Sequence, residues 1–116
     1  MDYTCGIVEA DPLAEAVLRR YITRISFLET QWIHSFPGDA LKEDAVNLLF
    51  VELREVPVRS DSPFLRLVGN AQSVVVTSTY SEGVWLPPSN VIASLTKPFS
   101  FDTFVHSIEL FLEKHR

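Results

Sequence analysis

Val46-Asn47-Leu48-Leu49-Phe50-Val51 is an apolar run interrupted only by Asn47. It closes on a single acid, Glu52, before the pattern dissolves into Leu53-Arg54-Glu55-Val56-Pro57. A short apolar run bounded by polar residues and proline reads as a strand buried on both faces, the central strand of a parallel sheet. In open α/β sheets, ligands bind beyond the carboxyl ends of such strands. Glu52 therefore stands where this chain would do chemistry.

Working outward, Tyr3 to Val8 reads as a first strand ending at Glu9-Ala10-Asp11-Pro12. Asp followed by Pro is a helix start, because the carboxylate caps free N–H groups and Pro at the first helical position forfeits no hydrogen bond. Leu13, Val17 and Tyr21, with Ala14, Leu18, Ile22 and Ile25 beside them, have the spacing of a helix packed on a sheet through about Thr23 or Ile25. Leu28 to Ser35 alternates weakly, as an edge strand does, and Pro37-Gly38-Asp39 opens a short helix reaching about Glu43. Beyond the central run, Ser62-Pro63 caps and starts a helix ending near Gly69, and Ala71 to Ser78 is a fourth strand. The segment Tyr80 to Asn90 occupies the place of a crossover helix, yet Gly83, Pro87 and Pro88 leave room for a turn or two at most. Val91 to Leu95 is a fifth strand. After Lys97-Pro98-Phe99, a last helix capped by Ser100 carries Phe101, Phe104, Val105, Ile108 and Leu112 at helical spacing. Strands alternating with helices in this way predict an α/β fold with a parallel sheet covered on both faces.

The 116 residues, 47% of them apolar, make one domain, 1–116, with enough apolar material for a core. Fifteen acids against ten Lys and Arg give a net charge of −5, which excludes the basic stripe of a direct nucleic-acid surface. Cys5 is the sole cysteine, so no disulfide forms within the chain and a reducing compartment is expected. No apolar run approaches the roughly 20 residues of a membrane span, and the first residues lack a basic-then-apolar signal pattern. The expected location is cytoplasmic, with no membrane association. His34, His106 and His115, placed on an edge strand, a helix and a frayed terminus, have no spacing that reads as a metal site.

The order of polar groups at the strand ends resembles that of response-regulator receiver domains across essentially the whole chain. The similarity is nearest to receivers of LytTR-type transcription regulators. It is carried by Ile7-Val8-Glu9-Ala10-Asp11-Pro12-Leu13-Ala14 with Leu18-Arg19-Arg20-Tyr21-Ile22, by Leu48-Leu49-Phe50-Val51-Glu52, by Thr77-Ser78-Thr79-Tyr80-Ser81-Glu82, and by Lys97-Pro98-Phe99-Ser100. No one of these is specific; the four in order are. The resemblance implies a flavodoxin-like, five-stranded parallel sheet of order 2-1-3-4-5, here with a shortened or missing fourth helix. It also implies a role in two-component signalling through aspartyl phosphorylation, and a cis Lys97–Pro98 bond. The partners it implies are a histidine kinase, an output domain regulating transcription, or a second copy of the chain as a homodimer.

This sequence departs from the family at the chemistry. Glu52 stands at the phosphoacceptor Asp, while Glu9 and Ala10 replace the Asp pair that would hold Mg²⁺. Glu9, Glu52 and the Arg54 backbone carbonyl remain as weak Mg²⁺ candidates, and no cofactor is expected. Phosphoryl transfer depends on positioning and charge neutralisation, so a longer carboxylate beside a depleted metal site makes a poor acceptor. Pro57 lies five residues past Glu52 where the family has four, which predicts an extra loop residue. Ser78 and Lys97 match the hydroxyl and lysine that contact the phosphoryl group, and Ser94 replaces the switch aromatic. Asp11 belongs to the acidic pocket by position and to the helix cap by chemistry. Lys97 facing Glu9 and Glu52 would form an ion pair, mimicking part of the phosphorylated charge pattern.

Tyr80 to Asn90 is expected to meet a partner through Trp85, beside Pro87 and Pro88; the alternative is that Trp85 plugs the sheet face left uncovered by the short crossover. Leu110 and Phe111 widen the apolar face of the last helix, a dimer or output surface in the family. Three readings compete. The favoured one is a non-enzymatic pseudo-receiver that acts as an interaction or dimerisation module. The second is a phosphorylatable receiver regulating a DNA-binding output domain. The third is a small α/β enzyme or flavin carrier on the same fold. Against the third, Glu9-Ala10-Asp11-Pro12 is acidic and has no Gly or Ser/Thr cradle for a phosphate.

Overall fold

The computed structural model describes residues 2–81 and 83–115. The elements run β1 (Tyr3–Val8), α1 (Pro12–Thr23), β2 (Leu28–His34), α2 (Pro37–Ala40), β3 (Leu48–Glu52), α3 (Pro63–Asn70), β4 (Ser73–Ser78), β5 (Val91–Thr96) and α4 (Phe101–Lys114). All strand pairs are parallel, and the sheet order is β2-β1-β3-β4-β5. β3 lies at the centre, hydrogen-bonded to β1 and β4, and Leu48 to Val51 are buried on both faces as the apolar run predicts. Asn47 precedes the strand, and its side chain accepts from the backbone N–H of Thr4, tying the starts of β3 and β1 together.

Strand alternation divides the core into two layers. Ile7, Leu48, Phe50 and Val75 face α1 and α4, while Val8, Leu49, Val51 and Val74 face α2 and α3. Helices α1, α3 and α4 start where the capping residues sit. Asp11 accepts from Leu13 N–H at 3.0 Å, Ser62 from Leu65 N–H at 3.2 Å and Ser100 from Thr103 N–H at 3.1 Å. On β1, Gly6 lies under the Trp32 ring, whose atoms come within 2.5 Å of where a Cβ would stand. Two X-Pro bonds are cis, Lys97–Pro98 and Val56–Pro57. No helix among the described residues is long and apolar enough to cross a membrane.

Four expectations change. Leu13 is 79% exposed rather than sheet-facing, because α1 buries Leu18 and Ile22, and five residues of helix rotate Leu13 about 140° from Leu18. Phe111 is not a partner surface. It completes the Phe104, Ile108, Phe111 stripe, is fully buried, and meets the Tyr3 ring edge-on at 5.0 Å, while Leu110 beside it is half-buried. His115 is not left free at the helix end: its ring packs on Phe111 at 4.3 Å, with Nε2 3.0 Å from Ser73 Oγ. Trp85 is half-buried, its ring edge-on to Phe64 with the centroids 5.5 Å apart, so in this chain it covers the α3-side core rather than standing free.

The reason is the crossover between β4 and β5, which contains no helix among the described residues. Without one, the sheet face around Val76 needs another cover, and Trp85 supplies part of it over a cavity of about 260 Å³. Asn90 anchors the segment's end by donating to the Val68 and Ala71 carbonyls at 2.7 and 3.0 Å. Val84 and Leu86, on either side of Trp85, are 37% and 96% exposed. Trp85→Ala should cost about 2 kcal/mol in a urea melt, below the 3–5 kcal/mol of a fully buried aromatic. A loss under about 0.5 kcal/mol would mean the ring contributes no packing.

Candidate functional site

Three strands deliver the charged groups to one point at the carboxyl end of the sheet. Glu9 directly follows β1, Glu52 ends β3, and Lys97 directly follows β5. The backbone N–H of Lys97 donates to the Ser78 carbonyl at 2.8 Å, which extends the β4–β5 pairing by one residue and aims the lysine inward. Its ammonium then donates to Glu9 Oε2 at 2.7 Å and to Glu52 Oε2 at 2.8 Å. The cluster is largely closed to solvent, with side-chain exposures of 10% for Lys97, 0% for Glu9 and 16% for Glu52.

The remaining carboxylate oxygens also have donors. Thr77 Oγ1 donates to Glu9 Oε1 at 2.9 Å, and the Ala10 N–H donates to Glu52 Oε1 at 3.2 Å. Asp11 N–H adds a long contact of 3.4 Å to Glu9 Oε2, and Arg54 Nε approaches Glu52 Oε1 at 3.8 Å. Burial pushes the Glu9 carboxyl above its ordinary range, against the pull of Lys97 and Thr77. Burial also acts upward on Glu52, but the hydrogen bonds from Lys97 and Ala10 help outweigh it and hold the group below its ordinary range. Desolvation alone would lower Lys97. Its hydrogen bonds to Glu52 and Glu9 prevail, and it is raised.

These residues do not fit a Mg²⁺ ion. The metal requires near-octahedral oxygen ligation at short distances. Both carboxylates are occupied by the lysine, and the Arg54 carbonyl accepts from Tyr80 Oη at 3.2 Å. Among the described residues, no three His, Cys, Asp or Glu side chains form a group that could hold a metal ion.

The structure thus brings together Glu9, Glu52 and Lys97 from the expected set and leaves two residues out. Ser78 is buried, but its Oγ accepts from Tyr80 N–H at 2.8 Å and makes no contact with the cluster. Asp11 is exposed, with its carboxylate on the α1 cap. Sequence reasoning missed Thr77 and Tyr80. Thr77 could have been found from strand parity: it is the register partner of Glu52, whereas Ser78, one residue on, points to the other face. The Tyr80 bond goes to a backbone carbonyl, for which sequence carries no signal.

No protein-family model and no curated protein matches the chain. Solved structures do. The signal receiver domain of a modulated diguanylate cyclase from Desulfovibrio desulfuricans G20 is 18% identical with a TM-score of 0.72, covering 98% of this chain and 96% of that one. The response regulatory domain of mrkE from Klebsiella pneumoniae is 16% identical with a TM-score of 0.74, covering 96% of each. The receiver domain of an HD domain-containing protein from Pseudomonas fluorescens Pf-5 is 10% identical with a TM-score of 0.75, covering 98% and 97%. At such identities the likeness is one of architecture, and the order β2-β1-β3-β4-β5 with its flanking helices is the flavodoxin-like fold of response-regulator receiver domains.

Proposed function

We propose that this domain is a pseudo-receiver: a non-enzymatic protein-interaction module of two-component signalling that works without phosphorylation and without Mg²⁺. The observation that carries the reading is the Lys97 ammonium bridging Glu9 and Glu52. The carboxylates that would hold a metal ion or accept a phosphoryl group are engaged instead by the chain's own lysine. A nucleophilic carboxylate has to be free to attack. Glu52 is one methylene longer than Asp and is held on both oxygens.

Receiver signalling normally biases a two-state surface on the crossover before the fifth strand. Here Tyr80 ties the start of that crossover to the Arg54 carbonyl and Trp85 seats its middle, so the segment presents one surface, with Val84 and Leu86 outward. We assign the partner contact to Leu86 in place of Trp85. The partner is a protein: a kinase, an output domain of the LytTR type that the sequence motifs resemble, or a second copy of the chain. The setting is the cytoplasm, where Cys5, buried and pushed up to about 11, stays an unreactive thiol. A net charge of −5 argues against direct nucleic-acid binding.

Titrating Mg²⁺ while following amide shifts of Glu9, Glu52 and Arg54 tests the reading, with millimolar or weaker binding expected. Micromolar affinity would overturn it. Ala10→Asp combined with Glu52→Asp should strengthen binding, because it restores two short carboxylates against one lysine. For the surface, Leu86→Ala should leave the melting temperature unchanged and weaken self-association in sedimentation or capture of an authentic kinase or output domain. Unchanged association would remove Leu86 from the contact.

A further inference from the structure

A second concavity lies beside the charged cluster, between the β2–α2 turn, the exit of β3 and the start of α3, with a volume of about 540 Å³. That is within the roughly 300–1,000 Å³ of small-molecule sites. Buried Leu53 and Phe64 and half-buried Val58 make its apolar floor. Phe36 forms one wall and keeps 50% of its surface exposed, with the Arg54 guanidinium 5.2 Å from its ring centroid.

The charges at the mouth are unequal in their commitments. Glu52 is turned to Lys97 and Ala10, and Asp61 is paired with Arg59 at 3.2 Å. Among the described residues, Arg54 has only the 3.8 Å approach to Glu52, an acid already held by stronger donors, and its guanidinium carbon stands over the Phe36 ring at 5.2 Å from the centroid. A half-exposed guanidinium over a half-exposed phenyl ring offers two-pronged recognition of a carboxylate next to a stacking surface. Glu55, exposed at the same mouth, disfavours a second negative charge on the ligand.

We propose that this concavity binds a small planar aromatic monoanion, its ring against Phe36 and Val58 and its carboxylate on the Arg54 guanidinium. The site stands whether or not Glu52 accepts a phosphoryl group. It would give the domain a chemical input, since a ligand that draws Arg54 toward itself alters the strand exit that Tyr80 holds through the Arg54 carbonyl.

The test is an amide-shift titration of the ¹⁵N-labelled chain with indole-3-carboxylate and, separately, with uncharged indole-3-carboxamide. Saturable shifts are expected at Phe36, Arg54, Val58 and Phe64, with the carboxamide about tenfold weaker. Arg54→Gln should reduce affinity for the acid about tenfold and leave the carboxamide unchanged, whereas Phe36→Ala should weaken both. Both side chains are substantially exposed, so an unchanged melting temperature verifies that each variant folds. No saturable shift, equal affinity for acid and amide, or an unaffected Arg54→Gln variant would overturn the proposal.

Discussion

Replacing Lys97 by Met should destabilise the domain by about 3–5 kcal/mol at neutral pH, the usual cost of stranding a buried charge without its partner. Two carboxylates would lose their shared counter-charge, one of them fully closed to solvent. The stability gained on acidification between about pH 7 and about pH 5 should also grow. In the native chain, Glu52 is lowered from 4.5, so its contribution is present above that value and is lost as pH falls through its folded pKa. Lys97 is raised from 10.5, so its contribution is present below that value and is lost as pH rises through its folded pKa. Glu9, raised by burial, works the other way: its ionisation opposes folding near neutrality, and acidification relieves it. Without Lys97, nothing of comparable strength holds Glu52 down, and both carboxyls favour the protonated form. Urea melts at about pH 7 and about pH 5 should then show the variant gaining more stability on acidification than the native chain does. A loss under about 1 kcal/mol, with no such gain, would mean the cluster behaves as an ordinary solvated ion pair.

Phe104→Ala should cost about 3–5 kcal/mol, a large share of the 5–15 kcal/mol typical of a whole domain. The ring is fully buried where α4 crosses the sheet, stacked on Phe50 at 5.8 Å and on Phe101 at 6.1 Å, with Tyr21 of α1 at 5.5 Å. It therefore joins the central strand to both helices of that face. Since α4 follows directly on the Lys97 loop, the variant should also broaden the Lys97 side-chain resonances. Denaturant midpoints and those line shapes check both effects, and a loss below about 1.5 kcal/mol would show that neighbouring rings refill the space.

The sheet was legible because its signals are local and redundant. Leu48 to Val51 can be continuously apolar only if both faces are covered, and Asp11-Pro12, Ser62-Pro63 and Ser100 each mark a helix start by capping chemistry. The meeting of Glu9, Glu52 and Lys97 was legible for a different reason: parallel strands all deliver their carboxyl ends to one edge, so groups far apart in sequence converge. What stayed hidden depends on rotation by a single residue. Thr77, not Ser78, faces the acids, and Phe111 rather than Leu110 is fully buried. Helix and strand patterns fix such phases only once a neighbour is in place. The Trp85 ring had two readings in sequence, and its packing against Phe64 separates them.

The central claim, that the pocket is satisfied by the chain's own donors and takes no phosphoryl group, is tested most directly by intact-mass spectrometry after incubation with acetyl phosphate and excess Mg²⁺. A receiver with a competent Asp serves as the positive control. The mass of this chain should stay unchanged while the control gains a phosphoryl group. A gain of one phosphoryl group, lost on substituting Glu52 by Gln, would contradict it.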